Sequence, residues 1–344
     1  MHNMKKYTFI STSTYTFAIA TLIITAFILS TSSASAQMMT IAPITTSANE
    51  LVSAPSVSWP NIEAKSAFVY DPVGNIVLFE KNADVQRPTA SLLKIMTAMT
   101  ADNILAVSPK LAEKEISIVD IKNDVPADFV LPAKSKWLPD SLLKIMLIGS
   151  SNKAAETLAS QLIPKSSFIS LMNYNAKRLG LTSTYFRNPT GLTELGSTKK
   201  TTSKVSTSAT STEGKLDIAA GVSTAREVAK MLWAGIAENP GLLDVTREDS
   251  ITIPNKVAQK IQTKSKTATS SVITNTNTIL KDFPIRFGKT GFTDNAGGNL
   301  AVVLQKDERS HPYVIVVMGS TQDKRFEDVS KLASTTLSLI SVTK

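Results

Sequence analysis

The 344-residue chain contains no cysteine and only two histidines, His2 and His311. The first absence removes disulfides, thiol nucleophiles and cysteine-bearing zinc sites together. The second leaves too little imidazole for a Ser-His-Asp triad or a multi-histidine metal centre. His311, beside Pro312 between two strand-like runs, reads as a solvated turn residue. No metal or other cofactor is expected, and acid/base chemistry falls to Lys, Asp, Glu or Tyr. Acidic side chains are the minority charge: 28 Asp and Glu stand against 37 Lys and Arg, a net +9. That balance suits an acidic polymer surface without choosing among nucleic acid, anionic lipid and cell wall. With 42% hydrophobic and 19% charged residues, the chain can bury an enzyme-sized core.

Charge is also scarce at the start. Lys5 and Lys6 are the only charged residues among the first 36, and they precede an apolar stretch over about residues 15–29 and then Ala34-Ser35-Ala36. This is the order of a secretory signal peptide, so residues 1–36 are expected to direct export. The alternative is an uncleaved anchor, for which the stretch is short of the ~20 residues a spanning helix needs. In both cases the remainder faces the periplasm, cell wall or exterior. Residues 37–60, rich in Ser, Thr, Ala and Pro, read as a tether, and the folded part is expected over residues 61–344.

Strand-like runs at residues 67–70 and 76–79 flank a Pro- and Gly-bearing turn. Helical spacing follows over 91–105, over 141–162 with Asp140 as N-cap, over 168–179 up to Gly180, and over 223–233. Between about 193 and 217 the sequence collapses into Ser, Thr and Lys, including Lys199, Lys200 and Lys204, which reads as a mobile insertion. Runs at 285–287, 299–305 and 313–318 look like antiparallel strands, and a last helix spans about 325–340. Strands at both ends around a helical middle imply an α+β fold with one shared sheet.

Ser91 and Lys94, three apart at a helix start, put a hydroxyl and an amine on one face, where a neutral Lys94 can deprotonate Ser91. The amine must be lowered by burial or a neighbouring cation, and Lys289 can supply the latter. Alone the pattern is weak, since Ser141/Lys144, Ser150/Lys153 and Ser197/Lys200 repeat it, and the hexapeptide Ser-Leu-Leu-Lys-Ile-Met occurs at both 91–96 and 141–146. The first copy is favoured because Pro88-Thr89-Ala90 leads from an extended segment straight into a helix, leaving N–H groups near Ser91 for an oxyanion. Ser150-Ser151-Asn152 and Lys289-Thr290-Gly291 complete an ordered S-x-x-K, S-x-N, K-T-G set. A nucleotide-binding loop is excluded at the last motif, because Phe283 stands where its first Gly would be.

These motifs resemble the low-molecular-mass penicillin-binding proteins, the serine D-Ala-D-Ala carboxypeptidases and their endopeptidase relatives, over about residues 61–344. Leu171-Met172-Asn173 with Ala176 and Leu179-Gly180-Leu181, Asn188-Pro189-Thr190-Gly191-Leu192, Ser223-Thr224-Ala225, and Phe292-Thr293 with Ala296-Gly297 extend the likeness. The resemblance implies a serine β-lactamase/DD-peptidase-like fold, with an antiparallel five-stranded sheet flanked by helices and a mainly helical subdomain. It also implies a penicillin-sensitive DD-peptidase acting on peptidoglycan stem peptides, with β-lactams as acylating inhibitors and nucleic acid not a partner. Ser91 would attack, Lys94 take its proton and Ser150 relay one to the leaving amine, while Asn152 holds the substrate amide. Lys289 and Thr290 would bind the substrate carboxylate, and the N–H groups of Ser91 and Phe292, beside Gly291, would form the oxyanion hole. Strand alternation alone places Lys289 and Thr290 on opposite faces.

The carboxypeptidase branch usually carries a further β-rich domain and membrane-binding tail, so an end at Lys344 suits the endopeptidase branch. Absence of a Glu-x-x-Leu-Asn segment argues against a β-lactamase. A non-catalytic wall-binding protein is the third reading, disfavoured by intact Ser91, Lys94, Asn152 and Lys289. The Lys-rich insertion is expected to be solvated, with contact to anionic wall polymer as its functional alternative.

Overall fold

The computed structural model describes residues 57–121, 131–196, 216–254 and 270–342. The expected signal segment, most of the tether and residues 197–215 of the insertion lie outside these.

The folded chain begins with β1 (Ser66–Asp71) and β2 (Ile76–Lys81). Asp71 closes their turn by accepting the N–H groups of Val73 and Gly74 at 2.9 and 2.8 Å. A short β3 (Arg87–Pro88) and a single 3₁₀ turn (Ala90–Leu93) lead into α1 (Lys94–Val107). The helical middle holds α2 (Pro109–Ala112), the pair β4 (Ile116–Ser117) and β5 (Lys136–Trp137), then α3 (Pro139–Ile148), α4 (Asn152–Gln161) and α5 (Lys165–Arg178). After β6 (Tyr185–Phe186), β7 (Glu194–Gly196) pairs with β8 (Leu216–Ile218), so the Ser/Thr/Lys-rich insertion joins two paired strands. Then come β9 (Gly221–Ser223), α6 (Ala225–Glu238), and the pair β10 (Ser250–Pro254) and β11 (Ser270–Thr274). Three long strands, β12 (Ile285–Thr293), β13 (Gly297–Leu304) and β14 (Tyr313–Ser320), precede α7 (Lys324–Val342).

The main sheet is antiparallel in the order β12-β13-β14-β1-β2. Its central contact joins the two ends of the fold, with Val69 of β1 opposite Ile315 of β14. Because side chains alternate, the sheet feeds two cores. One face gives Phe68, Phe287, Ala301, Val314 and Val316 to the helical layer. The other gives Val69, Leu300, Val302, Ile315 and Val317 to a core with Val329 and Leu332 of α7. α1 is the central helix of the first layer and is buried from Lys94 through Ala101. Residues 90–107 are long and apolar enough to cross a membrane, but two thirds of that stretch is buried within the fold, as a core helix should be.

Two sequence expectations are corrected. Residues 141–162 are not one helix: the chain breaks between α3 and α4, with Ser150 in the left-handed region (φ 56°) and Ser151 capping α4 by accepting the Ala154 N–H. A serine cap satisfies an orphan amide that an unbroken helix would not present. Asp140 is not an N-cap either. Leu138 holds that place with Pro139 at the first helical position, and Asp140 pairs with Lys144 at 2.7 Å on the exposed surface. His311, expected as a solvated turn residue, is exposed in the connection between β13 and β14, with its Nε2 2.7 Å from Asp71 Oδ1.

Asn299 of β13 locks the sheet to the segment before α1. Fully buried, it donates to the carbonyls of Pro88 and Thr89, both at 3.1 Å, and accepts the Gly319 N–H at 2.8 Å. Asn299→Ala strands these groups and should lower the unfolding free energy by about 2 kcal/mol, read as a lower urea midpoint at unchanged slope.

Candidate active site

The site is assembled where α1, the α3–α4 break, the loop after β6 and edge strand β12 converge. Ser91 lies in the 3₁₀ turn, not in the α-helix proper, and Ala90 before it holds a left-handed φ of 45°. That conformation is costly for a residue with a Cβ and is a form of stored local strain. Lys94, the first residue of α1, is fully buried, and its Nζ lies 2.8 Å from Ser91 Oγ. The same amine donates to Asn152 Oδ1 at 2.8 Å and to the Thr190 carbonyl. Both of those oxygens can only accept, so they engage N–H bonds. A neutral amine oriented by them can turn its lone pair to the Ser91 hydroxyl.

Thr190 is held in place by its own loop. Asn188 Oδ1 accepts the N–H groups of Thr190 and Gly191 and the Thr190 hydroxyl, while Thr97 of α1 donates to the Pro189 carbonyl at 2.8 Å. Gly191 has φ +90°, and a Cβ there would sit 2.5 Å from the Ala90 carbonyl oxygen. Only glycine lets this loop lie against the nucleophile turn. Gly291 does the same from the other side, since an added Cβ would come within 3.1 Å of Ser91 N and Thr89 O.

Lys289 and Thr290 obey alternation and still both serve this region, because β12 is the sheet edge. Lys289, opposite Ala301, turns toward the helical layer and donates to Ser150 Oγ at 2.8 Å and to the Thr290 carbonyl at 3.0 Å. Thr290, opposite Leu300, sets its hydroxyl 2.5 Å from that of Thr276. Burial, together with the positive charges of Lys94 and Arg325, holds the Lys289 amine well below the ordinary lysine range. Phe292, one residue past Gly291, is 39% exposed.

The structure thus joins Ser91, Lys94 and Asn152 through one amine, and Ser150 and Lys289 through another. Ser150 and Asn152, two residues apart, link the groups. The second hexapeptide copy has no such setting: Leu142, Ile145 and Met146 are core residues, and Lys144 is in the surface ion pair. Two residues at the site were given no role by the sequence reading. Thr190 acts through a main-chain carbonyl, which no side-chain motif reports. Arg325 is buried at the start of α7, donates to the Gly291 carbonyl at 2.9 Å and leaves its Nε without a partner. Burial pushes its guanidinium down to about 10.

A sequence profile of the D-alanyl-D-alanine carboxypeptidases matches residues 52–322. The chain belongs to that family. It is a serine-type DD-peptidase, a hydrolase of the low-molecular-mass penicillin-binding fold. It is 31% identical over 287 residues to a D-alanyl-D-alanine endopeptidase of Escherichia coli K12, covering 81% of this chain and 79% of that relative. The D-alanyl-D-alanine carboxypeptidase DacC of the same organism is 30% identical over 315 residues, covering 87% of this chain and 66% of its own length. Among solved structures, penicillin-binding protein D2 of Listeria monocytogenes in its cefotaxime-bound form superposes with a TM-score of 0.62 at 26% identity, over 81% of this chain and 99% of that one.

Burying two amines in one site has a thermodynamic signature. Because the folded Lys289 binds a proton less readily than the unfolded side chain, the unfolded state carries more protons between the depressed folded value and ~10.4, and stability rises with pH through that window. Lys289→Met should therefore be more stable than the parent at pH 7, and its advantage should shrink toward pH 10 in parallel denaturant titrations.

Proposed function

We propose that this chain is an exported serine-type D-Ala-D-Ala carboxypeptidase that works on peptidoglycan stem peptides through an acyl-enzyme at Ser91. The observation that carries the reading is the Lys94 amine, buried and set 2.8 Å from Ser91 Oγ by two acceptors. Ser91 Oγ attacks the carbonyl between two D-residues as its proton passes to the neutral Lys94. The N–H groups of Ser91 and Phe292 receive the oxyanion. Ser150, bonded to Lys289, relays a proton to the leaving amine, and Asn152 holds the substrate amide. Water then hydrolyses the ester, with Lys94 as base. The substrate carboxylate meets Lys289, the Thr290 hydroxyl and the field of Arg325. An anion there offsets the charges that depress Lys289, so binding favours its protonated form.

Endopeptidase cleavage of cross-links is the second reading, favoured by the 31% identity across most of the length of the E. coli endopeptidase. β-Lactams are proposed to acylate the same serine, in keeping with the cefotaxime-bound relative. Export is supported by the order of residues 1–36. Contact with anionic wall polymer is proposed for Lys199, Lys200 and Lys204, which belong to the segment joining β7 and β8.

Incubation with a labelled penicillin and peptide mass spectrometry should place the adduct on Ser91. Ser91→Ala should lose it and Ser141→Ala retain it. An unlabelled parent protein would remove the acyl-enzyme mechanism in favour of a wall-binding role. Digestion of defined muropeptides then separates release of terminal D-Ala from cleavage of cross-links.

A further inference from the structure

The Thr290 hydroxyl, assigned above to the substrate carboxylate, is paired with that of Thr276, a residue to which the scheme above gives no role. Thr276 sits on a braced turn between β11 and β12. Its N–H donates to the Ile148 carbonyl at the end of α3, at 3.1 Å. The turn is pinned on one side by Asn275 Nδ2, which reaches the carbonyls of Thr246 and Glu248 at 2.9 and 3.0 Å. On the other side, the Asn277 N–H donates to Asn275 Oδ1 at 2.9 Å. The hydroxyl of the partly exposed Thr276 is therefore presented from a fixed backbone, 2.5 Å from the hydroxyl of Thr290, a residue that is itself buried.

A threonine hydroxyl has one hydrogen to donate. If Thr290 spends its hydrogen on Thr276, it can only accept, and a carboxylate, which also only accepts, gains nothing from it. When Thr276 donates instead, the Thr290 hydrogen is released to point into the cleft. The resulting O–H···O–H···O⁻ chain is polarised in one direction, which strengthens each link.

We propose that Thr276 is a positioning residue for substrate recognition: it donates to Thr290 and so commits the Thr290 hydroxyl to the carboxylate of the substrate or β-lactam. The inference rests on the reading of Thr290 as a carboxylate ligand. Its effect is expected on ligands that carry the carboxylate, because Ser91 Oγ bonds to the Lys94 amine while the Thr290 hydroxyl bonds to that of Thr276.

The test compares the acylation rate of the full chain by a fluorescent penicillin with that by the methyl ester of the same compound. The ratio of the two rates reports carboxylate recognition, and the ester rate alone reports an intact nucleophile. Thr276→Val should lower the ratio about fivefold, the worth of one hydrogen bond, at an unchanged ester rate, and Thr276→Ser should restore it. Thr290→Val should lower the ratio at least as much, and adding Thr276→Val to it should change nothing more. An unaltered ratio in Thr276→Val, or effects of the two substitutions that simply multiply, overturns the inference. A parental ratio in Thr290→Val overturns the underlying reading of Thr290 instead. Should Thr276→Val acylate with neither compound, Thr276→Ala reads the same ratio.

Discussion

The burial of the Lys94 amine is the constraint around which the rest is arranged. An alkylammonium taken out of water carries a penalty of several kcal/mol unless its hydrogens are met. Here the partners come from three separate stretches of chain: Ser91 one turn back, Asn152 at the start of α4, and the carbonyl of Thr190. Each partner imposes its own local structure. Asn152 requires the helix to stop at Gly149 and restart with a serine cap. Thr190 requires a loop folded on Asn188 and a glycine at 191. The central, almost wholly buried placement of α1 excludes water from the amine. These demands account for most of the irregular backbone near the site.

Function and stability pull against each other across this region. Ala90 and Ser150 are held in left-handed conformations, two cationic side chains are buried close enough for one to depress the other, and the Nε of Arg325 is buried with no partner. Each is unfavourable in isolation. They are tolerated because the two cores on either face of the sheet, and clamps such as Asn299, over-determine the backbone around them. The result is a site whose hydrogen-bonding groups are already in place before a substrate arrives, so little reorganisation is needed when charge develops.

Periodicity and turn chemistry were sufficient for the architecture. The apolar runs of β1, β13 and β14 and the helical spacing of α1 and α6 appear within a few residues of their observed bounds. The shared sheet followed from strands lying at both ends of the chain. The missed break between α3 and α4 had a local signal, Gly149-Ser150-Ser151, but apolar residues on both sides at helical spacing outweighed it. The K-T-G motif was expected on a strand that begins at 285–287, and pairing with β13 carries that strand on to Thr293.

The sequence by itself narrowed the chemistry available, since without cysteine and almost without histidine acid/base work falls to Lys, Asp, Glu or Tyr, and the ordered motifs singled out Ser91 and Lys94. Tertiary structure sets the two identical hexapeptides in different surroundings. Ser91 and Ser141 open the same hexapeptide, and along the chain only the segments before them, Pro88-Thr89-Ala90 and Leu138-Pro139-Asp140, favour the first copy. Among the described residues, the first copy is met by Asn152, Thr190 and the backbone of Gly291, groups 61 to 200 residues from Ser91 in sequence. A nucleophile is made by what surrounds it, and those surroundings are long-range contacts that one-dimensional spacing does not encode.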